Sequence, residues 1–104
     1  MPYAFIQDVP ADEPAYREIR ALLGDEPPEG LITHVVVQQD SGLRYIDVWS
    51  SREHWESFRD AHVEPAVRAV LSQRGVPQDH SLVRFEPITV LDVWSGDRAA
   101  EARP

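Results

Sequence analysis

The stretch YIDVWSSREHWESF, Tyr45 to Phe58, changes its period halfway along, and that change decides the fold. As far as Trp49 the side chains alternate, so that Ile46 and Val48 share one face of an extended segment while Tyr45, Asp47 and Trp49 share the other. From Arg52 onward the spacing is helical, with Trp55, Phe58 and His62 at i, i+3 and i+7. Ser50 and Ser51 lie between the two halves; either can cap a helix, and Glu53 is placed to complete a capping box with Ser50. A strand therefore runs straight into a helix whose apolar stripe presses back on the sheet.

Upstream, LITHVVVQQ (Leu31 to Gln39) is apolar on both faces and joins LRYIDVW through Asp40, Ser41 and Gly42, which predicts a hairpin. YAFIQDV (Tyr3 to Val9), rich in aromatic and branched residues and stopped by Pro10, reads as a first strand. Between these strands Asp12 is a candidate N-cap and Pro14 fits a first helical turn. Tyr16, Ile19, Leu22 and Leu23 then repeat at helical spacing until Gly24.

Downstream, Pro65 predicts a kink or break near His62 and Val63, followed by a shorter helix over Ala66 to Leu71 that Arg74 and Gly75 close. LVRFEPITVLDVW reads as two strand segments joined by a bend, because Pro87 has no N–H for a ladder. The tetrapeptide DVWS of Asp47 to Ser50 recurs at Asp92 to Ser95, where it closes the final strand instead of opening a helix. Residues 96–104 carry too little apolar material to pack, so residues 1–95 form a single domain with a flexible tail.

The resulting order, β-α-β-β-α-β, defines an α+β, ferredoxin-like domain with a four-stranded antiparallel sheet and both helices on one face. The other face still carries aliphatic and aromatic side chains, which a single sheet would leave in water. A homodimer relieves this, with Ile88 to Trp94 reaching the other chain through Val90, Val93 or Trp94.

Composition narrows the function. The 104 residues suffice for one core without staples, and the absence of cysteine removes disulfides, thiolate metal sites and thiol nucleophiles. All ten basic residues are arginine, so Schiff-base chemistry is excluded. The net charge of −8, with those arginines dispersed, argues against nucleic acid. The opening residues lack the basic flank and apolar run of a signal peptide and no segment reaches transmembrane length, so neither membrane nor export is expected and the location expected is cytoplasmic.

Two residues stand out as candidate catalytic groups. His62, on the stripe beside Trp55 and Phe58, suits proton transfer near neutral pH, or is a partly buried imidazole bonded to a backbone carbonyl. Asp47, between Tyr45 and Trp49, is a general base in an apolar pocket, the partner of an arginine such as Arg84 on a neighbouring strand, or a barrel-rim carboxylate in contact with water. His34, among the aliphatics of its strand, offers one ligand, and His54 and His80 fall at surface positions. No HxH, HxxxH or HExxH pattern joins them, so no metal is expected. No GxSxG surrounds Ser50 or Ser51.

With its strand ending in Trp49, its serine cap, an acidic residue and an aromatic one turn later, the run YIDVWSSREHWESF resembles the antibiotic-biosynthesis-monooxygenase-like proteins of the dimeric α/β-barrel superfamily. The resemblance implies two four-stranded sheets packed face to face in a homodimer. It also implies one of several chemistries: cofactor-free oxygenation of aromatic polyketides, haem degradation, muconolactone isomerisation or none. Haem-degrading members use an asparagine on the first strand and a tryptophan and a histidine on the second helix. Here asparagine is absent, and the positions matching the other two are Phe58 and Arg68, so neither haem nor another cofactor is expected. The expectation is a homodimer holding an apolar or aromatic small molecule among Tyr45, Trp49, Trp55 and Phe58, with His62 and Asp47 as catalytic groups. Any reaction would be cofactor-independent monooxygenation or isomerisation; the alternative is a non-catalytic dimer with a filled core.

Overall fold

The computed structural model describes residues 2–78 and 80–94, so the expected tail at 96–104 lies outside the described residues. The elements are β1 (Tyr3–Val9), α1 (Glu13–Leu23), β2 (Leu31–Gln39), β3 (Gly42–Trp49), α2 (Arg52–Phe58), a π-helical turn (Arg59–Val63), α3 (Glu64–Arg74), a short 3₁₀ turn (His80–Leu82) and β4 (Arg84–Ile88). One sheet holds all four strands in the order β2-β3-β1-β4, every neighbouring pair antiparallel. This is the α+β, ferredoxin-like arrangement that the sequence predicts.

The hairpin sets the register of the central strands. Asp40 and Ser41 form a two-residue turn, so Gln39 lies opposite Gly42 and the count continues to Val36 opposite Tyr45 and His34 opposite Asp47. Gly42 (φ +150°) is required at the turn, because a Cβ there would lie 2.1 Å from the carbonyl oxygen of Val9. A bulge between Leu31 and Thr33 then breaks the alternation. It lets Leu31 pack on the core although His34, three residues later, also faces the helices.

The helix face of the sheet holds the core. Phe5, Trp49 and Trp55 are buried together, with ring centroids 4.7 Å apart for Phe5 and Trp55 and 5.5 Å apart for Trp49 and Trp55. Ala15 of α1 and Ala66 and Val70 of α3 are buried as well, and Arg74 Nε donates to Glu18 Oε2 at 3.0 Å to tie α3 to α1. The opposite face carries Ile6, Ile46 and Val48, the cross-strand pair of Asp8 with Arg44, and three exposed aliphatics, Val35, Val37 and Ile88.

Four expectations need correction. The helix after Trp49 is capped by Ser51, whose hydroxyl accepts from the His54 N–H at 3.2 Å; the residue three beyond this cap is His54, so Glu53 cannot complete the box. Pro65 does not break the helix. The chain widens into the π turn just before it, where the Glu64 N–H bonds the Arg59 carbonyl five residues back, and α3 then runs on to Arg74 and stops at Gly75 in the left-handed conformation (φ 67°). Pro87 does not split the last strand. β4 runs through it because this is an edge strand, where one side of the ladder has no partner to lose. Residues Thr89 to Trp94, finally, form no strand, since β4 ends at Ile88, opposite Ala4 near the start of β1.

Candidate functional site

The space between the helices and the sheet is not filled. A cleft of about 640 Å³ lies there, walled by Tyr16, Ile19 and Leu23 of α1, by His34, Tyr45, Asp47 and Trp49 of the sheet, and by Trp55, Phe58 and Val63 of the second helical run. Most of this wall is aromatic or aliphatic. Five of the six expected site residues, Tyr45, Asp47, Trp49, Trp55 and Phe58, therefore line one cavity, joined by Val93 and Trp94 of the second DVWS.

His62 does not. It is exposed and its ring lies tilted against Phe58, with centroids 5.3 Å apart, beside a separate groove formed with Pro27, Glu29 and His54. The π turn is the cause. An α-helix would bring residue 62 beneath Trp55 and Phe58, but a π turn spends an extra residue on the circuit and delivers Val63 to the core instead. The imidazole at this site belongs to His34.

A chain of hydrogen bonds runs through the polar part of the wall. Asp47 is 4% exposed; its Oδ1 lies 2.6 Å from His34 Nδ1, and its Oδ2 accepts from Trp49 Nε1 at 3.0 Å. His34 Nε2 in turn lies 3.0 Å from the Tyr16 hydroxyl. The polarity follows from the groups themselves. With Asp47 as the acceptor and the imidazole carrying a single proton, that proton sits on Nδ1, and Nε2 presents a lone pair that accepts from the Tyr16 O–H. Asp47 makes no ion pair with Arg84, which lies on the other face of the sheet opposite Asp8.

The tyrosines enclose this imidazole. Tyr16 and Tyr45 lie 6.2 Å and 5.7 Å from His34 by ring centroid, and 5.7 Å from each other. Burial, with Tyr16 and the negative charge of Asp47 adding to it, pushes the Tyr45 phenol up to about 12; burial raises Tyr16 as well. Both therefore stay protonated donors at neutral pH. The indole nitrogen of Trp55 is buried with no hydrogen-bond partner among the described residues.

Reasoning from sequence missed Tyr16 and the role of His34. Tyr16 looks like one more member of a helical stripe, and nothing local in the chain joins it to a residue eighteen positions away. His34 was within reach, since counting outward from the two-residue turn at Asp40 and Ser41 already sets residue 34 opposite residue 47. Among the described residues no group of three or more histidine and acidic side chains is placed to hold a metal ion, and no helix is long and apolar enough to cross a membrane.

The four-stranded antiparallel sheet under two helical runs is a fold shared with solved structures that include proteins described as antibiotic biosynthesis monooxygenases. Three solved structures illustrate the likeness. PA3566 from Pseudomonas aeruginosa is 23% identical over 88% of this chain and 95% of its own, with a TM-score of 0.60. A variant of SnoaB, a cofactor-independent oxygenase from Streptomyces nogalater, is 14% identical over 88% and 95%, with a TM-score of 0.58. An antibiotic biosynthesis monooxygenase is 17% identical over 88% and 100%, with a TM-score of 0.57. No protein-family model and no curated protein sequence matches the chain.

Proposed function

We propose that this protein binds an apolar, aromatic small molecule in the cleft and removes a proton from it without a cofactor, as the first step of a monooxygenation or an isomerisation. The observation that carries this reading is the relay from Asp47 through His34 to Tyr16, which ends in the cleft wall. A buried carboxylate behind an imidazole orients the ring and stabilises the imidazolium that forms when Nε2 takes a proton. A bound ligand would take the place of the Tyr16 hydroxyl at that nitrogen. The carbanion left behind is delocalised over the aromatic system and lies among donors that stay protonated, Tyr45 and Tyr16. It can be reprotonated at another carbon, which is isomerisation, or pass an electron to dioxygen and combine with the resulting superoxide to a hydroperoxide, which loses water to leave a carbonyl. In that second course the substrate's two C–H bonds supply the four electrons, one oxygen stays in the product and the other leaves as water, which is monooxygenation. The likeness to the cofactor-independent oxygenase SnoaB favours the second.

The reading includes a homodimer. Val35, Val37 and Ile88 are exposed on the sheet face away from the helices, and every residue of the edge strand β4 is exposed. Packing this face against its copy, with Val93 and Trp94 meeting the other chain near the cleft, would remove that surface from water.

The test combines binding with gas exchange. Fused-ring and single-ring aromatic compounds are screened for a rise in melting temperature, and compounds that raise it are incubated with protein in a closed oxygen-electrode cell. Dioxygen uptake, or conversion to an isomer without uptake, is the expected result. A compound bound in the cleft and returned unchanged under all conditions would leave a binding protein and end the catalytic reading.

A further inference from the structure

The proton path above leaves one contact without a purpose. Asp47 needs only one oxygen to hold His34, yet its other oxygen receives the indole N–H of Trp49, which is 1% exposed and lies deep in the core. Trp55 shows that this contact is not required for packing, because its indole is buried beside Trp49 with no hydrogen bond among the described residues.

We propose that Trp49 is a positioning residue: its indole N–H claims Oδ2 of Asp47, so that only Oδ1 faces His34 and the ring is held with Nδ1 as donor and Nε2 as base. The inference rests on the reading of His34 as the proton acceptor. The four groups differ in what they can do. An indole only donates, a carboxylate only accepts, an imidazole does one of each, and a hydroxyl does either. The carboxylate, which only accepts, sets the direction of the chain; Trp49 fixes which of its oxygens meets the ring, and Tyr16 follows. Trp49 is suited to fix it, since its ring lies 5.5 Å from Trp55 and 5.7 Å from Phe58 by centroid and cannot turn away. Without it the carboxylate could rotate about its own bond and present either oxygen, or neither squarely, to the imidazole.

An amide at position 47 exposes the effect. Asparagine nearly matches aspartate in shape but has one acceptor oxygen and one NH₂. In Asp47→Asn the indole of Trp49 demands the oxygen, so the NH₂ must face His34 Nδ1. That nitrogen then has to accept, and the ring proton moves to Nε2. Long-range ¹H–¹⁵N correlation of the imidazole nitrogens, at a pH that keeps the ring neutral, distinguishes the two forms without reference to turnover. In the wild type the expected signal is an unprotonated Nε2. In Asp47→Asn that signal is lost and a protonated Nε2 takes its place. In Trp49→Phe/Asp47→Asn the amide is free to turn, and the wild-type form returns. Retention of the wild-type tautomer in Asp47→Asn would overturn the proposal, because the amide oxygen would then be facing His34 despite the indole. If the double variant does not fold, the Trp49 indole proton in Asp47→Asn decides the same point: a hydrogen-bonded shift supports pinning, and the shift of a free indole ends it. Neither readout involves catalysis, so a failed search for turnover and a failed tautomer test are separate results.

Discussion

His34 and Asp47 face each other across the β2–β3 ladder with Nδ1 and Oδ1 2.6 Å apart, and this contact turns a carboxylate buried among aromatics into half of an oriented acid–base pair. Asp47 Oδ1 accepts and Nδ1–H donates, which leaves Nε2 toward the Tyr16 hydroxyl of α1.

Replacing His34 by glutamine keeps an N–H for Asp47 but removes the proton acceptor. Turnover should fall by roughly 10²- to 10⁴-fold, the range of general base catalysis, with ligand affinity little changed. Steady-state rates together with calorimetric binding measure both. Undiminished rates would assign the proton transfer elsewhere.

Tyr16→Phe removes the hydroxyl that satisfies His34 Nε2. The protein should lose about 1 kcal/mol of stability to chemical denaturant, the net worth of one hydrogen bond. Ligands that hydrogen-bond to Nε2 should bind tighter to the variant, since they no longer displace the phenol.

Tyr45 gives a signature at high pH. Its folded value of about 12 lies above the unfolded value of 10.0, so the unfolded chain ionises first and draws the equilibrium its way. Stability from this group is complete below pH 10 and is lost as pH rises from about 10 to about 12. Urea unfolding across that window should show the decline, and Tyr45→Phe should reduce it. Tyr16, raised in the same direction, contributes to what remains.

His62 and Val63 should behave oppositely. His62 is exposed, so His62→Ala should change stability by less than about 0.5 kcal/mol and leave any activity intact. Val63 packs against the core cluster, and Val63→Ala should cost about 1 kcal/mol. Equal losses from the two in thermal denaturation would contradict the register of the π turn.

The outer face of the sheet supplies a test of assembly. Sedimentation equilibrium should give a dimer for the wild type. Val35→Asp, which places a carboxylate at an exposed aliphatic position of that face, should shift the equilibrium to monomer while circular dichroism stays unchanged. A monomeric wild type would remove the homodimer from the proposed function.

What the sequence determined by itself was whatever depends on neighbours in the chain. Alternation through Tyr45 to Trp49, helical spacing in α1, the Asp12 cap and the Asp40–Ser41 turn are local rules, and they were enough for the element order and the ferredoxin-like topology. The same rules put Tyr45, Asp47, Trp49, Trp55 and Phe58 on surfaces that turn toward each other. They failed where one added residue changes every direction after it. The π turn before Pro65 carries His62 out to solvent and Val63 in, and no spacing pattern in the sequence announces the extra residue of such a turn. The last strand failed for a related reason: ladder bonds depend on the adjacent strand, and β1 pairs with β4 only from Asp8 back to Ala4. Tertiary structure alone decided that Tyr16 meets His34, because the helix crossing that joins them depends on how α1 packs over the sheet and not on any interval in the sequence.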